Sequence, residues 1–169
     1  MRNARLSVFW MYFILVVAQM IICNYFYLSY YITLSLLPAL ILLMPVSIGT
    51  VGAMCIAFVT GFAVDALAEG LIGLNILALV PVAFFRHGIL SLVFGREIFA
   101  RGENVSIRKQ GLGKVIASLL MAQALFLAVY IWADTAGTTP FWFDLVRFML
   151  SLLVSLPLSL LSEDLLEDR

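Results

Sequence analysis

Residues 48–85 read IGTVGAMCIAFVTGFAVDALAEGLIGLNILALVPVAFF and carry two carboxylates, Asp65 and Glu69, in an otherwise apolar run. Gly49, Ala53, Ala57, Gly61, Asp65 and Glu69 recur every four residues. On a helix that spacing draws a slowly winding ridge, with small side chains at one end and carboxylates at the other. Small side chains let a second helix approach closely. In a bilayer apolar burial does not by itself favour helix contact over lipid contact, so such a ridge marks a packing surface. Asp65 needs a further explanation. A carboxylate in a spanning helix costs about 2.5 kcal/mol or more at the bilayer centre and generally faces protein or water.

Composition sets the class around this stretch. With 64% hydrophobic and 12% charged residues and a mean hydropathy of +1.10, the chain departs from soluble domains, which carry about 25% charged residues. It reads as an all-α polytopic membrane protein. Cys23 and Cys55 stand alone in apolar segments, with no CxxC spacing or neighbouring histidine. They read as buried lipophilic thiols, with no disulfide framework or metal site.

Working outward, Arg2 and Arg5 precede an apolar run that reads as a first span over residues 7–24, with Tyr25, Tyr27, Tyr30 and Tyr31 as an aromatic belt at its far end. The run is too long for a signal peptide, and no small-x-small cleavage site follows it. A second span over 30–45 contains Pro38 and is expected to be kinked or tilted. The ridge helix follows over 48–68. Gly70 and Gly73 turn the chain into a fourth helix over 71–94. Residues 95–114 form the one substantial loop, and the apolar residues interleaved with charge as far as Phe99 suggest a helix lying along the membrane surface. Spans over 115–132 and 141–161, joined by a short polar turn, and an acidic exposed tail complete six transmembrane helices in a single integral membrane domain.

Lys and Arg are distributed unevenly. Arg2, Arg5, Arg169 and the basic face made by Arg86, Arg96, Arg101, Arg108, Lys109 and Lys114 fall on one side of a six-span topology, and the opposite loops hold none. By the positive-inside rule that side, with both termini, is cytoplasmic. Acids interleave with these cations and spans adjoin them, which suits anionic lipid headgroups better than nucleic acid.

The remaining cation, Arg147, lies within the sixth helix. At about 1.5 Å rise per residue it lies at a depth similar to Asp65. An intramembrane ion pair between Asp65 and Arg147 is therefore expected, with Glu69 or Asp144 as alternative partners of Arg147. The local alternative is Asp144, three residues before Arg147 on one helix. Together with Asn75 these residues make up the expected intramembrane polar network.

Catalytic sets are missing from the pattern. His87, next to Arg86 at the end of the fourth helix, has no second ligand or nucleophile beside it and reads as a headgroup contact. Asp65 and Glu69 have the spacing of paired acids, yet little else polar converges on them. No phosphate-cradling glycine motif occurs, and no cofactor is expected.

The segment GFAVDALAEGLIGLNILALVPVAFFR, Gly61 to Arg86, resembles the signature region of the rod shape-determining membrane protein MreD family. It has a glycine-rich helix ending G-x-x-x-D, a short Gly turn, and a small-residue helix closing with an aromatic residue and Arg. Chain length and the run of about six spans are similar to that family over essentially the whole chain. The resemblance implies a non-enzymatic scaffold of the bacterial cell-elongation complex in the inner membrane. Such a scaffold binds the single-span protein MreC and assembles with MreB, a RodA-type glycosyltransferase and a class B penicillin-binding transpeptidase. It also implies a fold similar to the substrate-binding subunits of energy-coupling-factor vitamin transporters. Gly61, Asp65, Gly70, Gly73, Asn75 and Arg86 match the motif and are assigned to packing and turn formation. In the scaffold reading the ridge and the cytoplasmic loop are the interaction surfaces.

The fold similarity supplies the competing function, a vitamin-type solute binder that relies on an ATPase partner. Such a subunit is expected to gather polar and aromatic residues in an outer pocket, and this sequence offers few. A membrane-embedded enzyme is disfavoured by the missing nucleophile and metal sets.

Overall fold

The computed structural model describes residues 10, 12–21, 33–69, 72–95, 97–101, 105, 110–136 and 138–167, with the side chains of 69, 100, 101 and 162–167 outside the described set. The described residues form helices α1 (Tyr12–Ile21), α2 (Leu37–Leu42), α3 (Thr50–Val64, continued by a π-helical turn over Asp65–Glu69), α4 (Leu74–Phe94), α5 (Glu97–Arg101), α6 (Leu112–Thr135) and α7 (Phe141–Glu167), with no strand among them. Four helices are long and apolar enough to cross a bilayer: Thr50–Ala68, Leu74–Phe94, Leu112–Thr135 and Phe141–Leu161. Each is bounded by residues that stop it. Gly95 ends α4 at a φ of 79°, and Gly111 precedes α6 at a φ of 88°, a region that suits glycine.

α3, α4, α6 and α7 pack in sequential order, and α2 sits among α4, α6 and α7. All six residues of α2 are buried, and Leu37, Leu40, Ile41 and Leu42 meet Leu79, Leu90, Leu119, Phe126 and Leu127 in the core. The outer surface is equally apolar. Val51, Phe58, Val59 and Phe62 of α3, Phe84 and Phe85 of α4, and Met149, Leu150 and Leu153 of α7 are exposed. Soluble monomers rarely expose contiguous apolar surface on that scale, and lipid is its natural solvent. Trp132, Phe141 and Trp142 are exposed where α6 hands over to α7, as in an aromatic interfacial belt. Residues 25–31, the belt expected from sequence, lie outside the described residues.

Several elements differ from the sequence expectation. Among the described residues of the helix expected over 30–45, residues 33–36 are irregular and only Leu37–Leu42 is helical, with Pro38 in the first turn and so no kink. Proline fits a first turn because the amide it lacks has no partner there. At ~1.5 Å per residue α2 measures about 9 Å, far short of the ~30 Å apolar thickness. α6 extends three residues beyond its expected end, so that Asp134 is helical, and α7 continues to Glu167. The expected surface helix before Phe99 is absent in that form: Ile89 and Leu90 belong to α4 and are buried, and the short α5 buries Ile98. Cys55, expected buried, is exposed on α3, and Cys23 lies outside the described residues.

The ridge explains how α3 meets α4. Ala53, Ala57 and Gly61 are buried. A Cβ at Gly61 would stand 2.9 Å from both the Cα and the N of Ile76 and 3.1 Å from the carbonyl carbon of Asn75. The obstruction is backbone, which cannot turn aside as a side chain can. Ala53, Ala57 and Gly61 are thus used within this chain, while Gly49 at the start of the ridge is exposed. Gly61→Ala should lower stability by about 1–3 kcal/mol through overpacking. Gly88→Ala, with nothing within 4 Å of the new Cβ, should be neutral or stabilising by up to about 1 kcal/mol. Reversible unfolding in mixed micelles measures both. Equal stability of the two variants would remove the close approach as a constraint.

Candidate functional site

Among the described residues three polar clusters stand inside the apolar bundle at places where the backbone leaves regular helix. The first surrounds residues 33–36. An irregular segment cannot pair its own amides and carbonyls as a helix does, and each group left bare in an apolar interior costs several kcal/mol. Here side chains from three helices do the pairing. Gln19 of α1 donates to Leu34 O at 3.1 Å and accepts from Leu36 N at 2.7 Å. Gln123 of α6 donates to Ser35 O at 3.0 Å. On α7, Ser151 Oγ accepts from Thr33 N at 2.8 Å, and Ser155 Oγ bridges Ser35 N and Thr33 O at 3.4 Å each.

Arg147 stands one turn before Ser151 on the same face of α7. Its Nη1 donates to Asp134 Oδ2 at 2.6 Å, and its Nη2 donates to Thr33 Oγ1 at 3.1 Å. The pair joins the end of α6 to the start of α7 and to the irregular segment.

Asp65 anchors the second cluster and is fully buried. Its carboxylate accepts from Gly73 N at 2.8 Å, Asn75 N at 3.0 Å and Asn75 Nδ2 at 2.9 Å, with Ile76 N more distant at 3.5 Å. These amides belong to the first turn of α4, where no earlier carbonyl is available. The N-cap residue is Gly73, at a φ of 116° and without a side chain to cap with. Asp65 therefore does from the neighbouring helix what an N-cap side chain does from its own. The positive end of the α4 dipole favours a carboxylate there. The π turn over Asp65–Glu69 is the local irregularity beside this contact.

Arg86 forms the third cluster. Expected on an exposed basic face, it is instead 4% exposed. Nε donates to Leu42 O at 3.3 Å, Nη1 to Ile48 O at 3.4 Å, and Nη2 to Met44 O. Leu42 and Met44 lie where α2 ends, so the guanidinium serves carbonyls that have no following turn to bond them. The assignment of Arg86 to packing and turn formation describes it better than the basic face does.

The expected Asp65–Arg147 pair is not formed. The Gly73 turn brings α4 amides onto Asp65, and the longer α6 carries Asp134 to Arg147. The local alternative fails as well, because Asp144 Oδ1 accepts from Thr139 Oγ1 at 2.6 Å and Arg147 turns to Asp134. The side chain of Glu69, the third candidate, lies outside the described residues. Asn75 joins Asp65 as expected of the polar network. Gly49 is the N-cap of α3. Lys114 is exposed on α6, and His87 is exposed with its ring 4.0 Å from that of Phe99. Gly70, Arg96, Arg108 and Lys109, together with the side chain of Arg101, lie outside the described residues.

Sequence reading missed Gln19, Gln123, Asp134, Ser151 and Ser155. A signal existed on α7, where Arg147, Ser151, Ser155 and Ser159 recur every four residues and are all buried. The lone amides of Gln19 and Gln123 in apolar helices were a second signal.

Fold and clusters together define an all-helical, multi-pass membrane protein whose buried polar side chains pair with backbone. Among the described residues no three His, Cys, Asp or Glu side chains gather where a metal ion would bind. Comparisons with protein-family models, curated proteins and solved structures find no match for this chain.

A double-mutant cycle between Asp134→Ala and Arg147→Ala should give a coupling of about 1 kcal/mol or more, as expected for residues in one ion pair. Asp65→Ala, which strands several buried donors at about 1–3 kcal/mol each, should destabilise more than Asp65→Asn, which keeps one acceptor oxygen. Unfolding measured in mixed micelles decides both. Additivity of the first pair, or equal effects of the two Asp65 variants, would contradict the assigned roles.

Proposed function

We propose that this chain is an MreD-type, non-enzymatic scaffold of the bacterial cell-elongation complex. It resides in the inner membrane and binds MreC, and through the assembly it works with MreB, a RodA-type glycosyltransferase and a class B penicillin-binding transpeptidase. In this reading the chain crosses the membrane six times with both termini cytoplasmic. The second crossing is the discontinuous run from Thr33, bonded to Arg147, to Ile48, bonded to Arg86.

The observation that carries the reading is the closure of residues 33–36. Transporters use broken helices to offer unwound backbone and helix ends to a solute. Here Thr33 N, Leu34 O, Ser35 N, Ser35 O and Leu36 N are bonded to Ser151, Gln19, Ser155 and Gln123. Those groups are engaged before any solute arrives. This favours the scaffold over the vitamin-type solute binder, although both share the expected fold. With Ala53, Ala57 and Gly61 of the ridge buried, the partner surface in this reading lies on the lipid-facing side. Only 22% of the Phe141–Leu161 span is buried, so the outer face of α7 is the surface we assign to a single-span partner.

Affinity purification from bacterial membranes in mild detergent, with mass spectrometry of the retained proteins, tests this. MreC and the elongation synthases should be retained by the wild-type chain and lost when Leu153, exposed on α7, is replaced by Arg. Recovery of an ATPase pair with a small coupling protein in their place would overturn the scaffold reading in favour of the transporter.

A further inference from the structure

Beside Arg86, between the approach to α3 and the helices α4 and α5, lies a cavity of about 320 Å³. Its volume falls at the small end of the ~300–1,000 Å³ range of small-molecule sites. Ser47, Thr50, Ala53, Arg86, His87 and Phe99 are among its lining residues, and no carboxylate among the described residues is. Ser47, Gly49 and His87 are exposed, which places them at the mouth.

The charge balance of this cavity is unfinished. Buried charges in proteins are normally paired with an opposite charge. Arg86 is nearly fully buried, and its partners are three neutral carbonyls, those of Leu42, Met44 and Ile48. A guanidinium has five N–H donors, so two remain after those three bonds. The carbonyls orient the group without cancelling its charge. The first turn of α3 adds to the same wall. Its N-cap, Gly49, supplies no side-chain acceptor, which leaves first-turn amides free to meet an anion. The hydroxyls of Ser47 and Thr50 are further donors, and the apolar faces of Ala53 and Phe99 reduce screening by water.

We propose that this cavity is a phosphate-binding site, with Arg86 balancing the charge and Ser47, Thr50 and the first turn of α3 hydrogen-bonding the oxygens. The phosphate belongs to a phospholipid headgroup or to a free phosphate. The proposal rests on the cavity and is independent of the scaffold reading.

The full-length chain in a neutral maltoside detergent is titrated separately with phosphatidylglycerol, diacylglycerol and inorganic phosphate. Native mass spectrometry counts bound molecules, and the thermal unfolding midpoint reports stabilisation. Phosphatidylglycerol should bind at one tight site and raise the midpoint, and diacylglycerol, which has no phosphate, should not. Ser47→Glu should weaken that binding by about tenfold, equivalent to ~1.4 kcal/mol, while keeping the ligand-free midpoint of the wild type. His87→Glu repeats the test at the mouth should Ser47→Glu fail to fold. Stabilisation by phosphatidylglycerol alone assigns the site to a lipid headgroup, and competition by inorganic phosphate assigns it to phosphate as such. Equal binding of diacylglycerol, no binding of either phosphate probe, or unchanged affinity in the Glu variants would overturn the proposal.

Discussion

Backbone hydrogen bonding in an apolar surround is the constraint on which this structure depends. A regular helix meets it alone, because each amide finds a carbonyl four residues earlier. Any departure leaves groups that water cannot reach. Among the described residues three such departures are met by a polar side chain from another part of the chain, which completes the bonding. Gln19, Gln123, Ser151 and Ser155 close the irregular run at 33–36. Arg86 takes the carbonyls after α2, and Asp65 takes the amides that open α4.

This arrangement gives a physical account of why polar residues persist in so apolar a chain. Removing any one of them leaves bare backbone rather than a simple void, and unsatisfied buried groups are costlier to leave than a hydrogen bond is to form. It also couples distant segments. Arg147 ties α6, α7 and the irregular run through Asp134 and Thr33, so displacing α7 disturbs the centre of the bundle. A partner helix lying against the outer face of α7 would act on that centre through the same bonds.

The small-residue ridge shows how a correct local reading leads to a different use. Ala53, Ala57 and Gly61 do form a face that permits close approach, as the four-residue spacing indicates. The helix that approaches is α4 of the same chain, reached through the turn at Gly73. Sequence spacing reports that a surface admits a neighbour and is silent on which neighbour takes it. The same silence explains the misassigned partner of Arg147. Depth along a span narrows the candidates to Asp65, Glu69 and Asp144, but Asp134 enters only because α6 runs three residues further than its hydropathy suggests.

The sequence by itself determined that the chain is helical and membrane-bound, where the four longest spans lie, that α3 has a close-packing face, and that Asp65 and Asn75 belong to one polar group. These follow from hydropathy, small-residue spacing and turn residues, all properties of neighbouring positions. Tertiary structure alone decided that residues 33–36 are irregular, that Arg86 is buried, and that Asp65 caps α4 while Arg147 pairs with Asp134. Those outcomes depend on which unpaired backbone group comes within about 3 Å of which side chain. That distance joins residues as far apart as Ser35 and Ser155, and no local pattern encodes it.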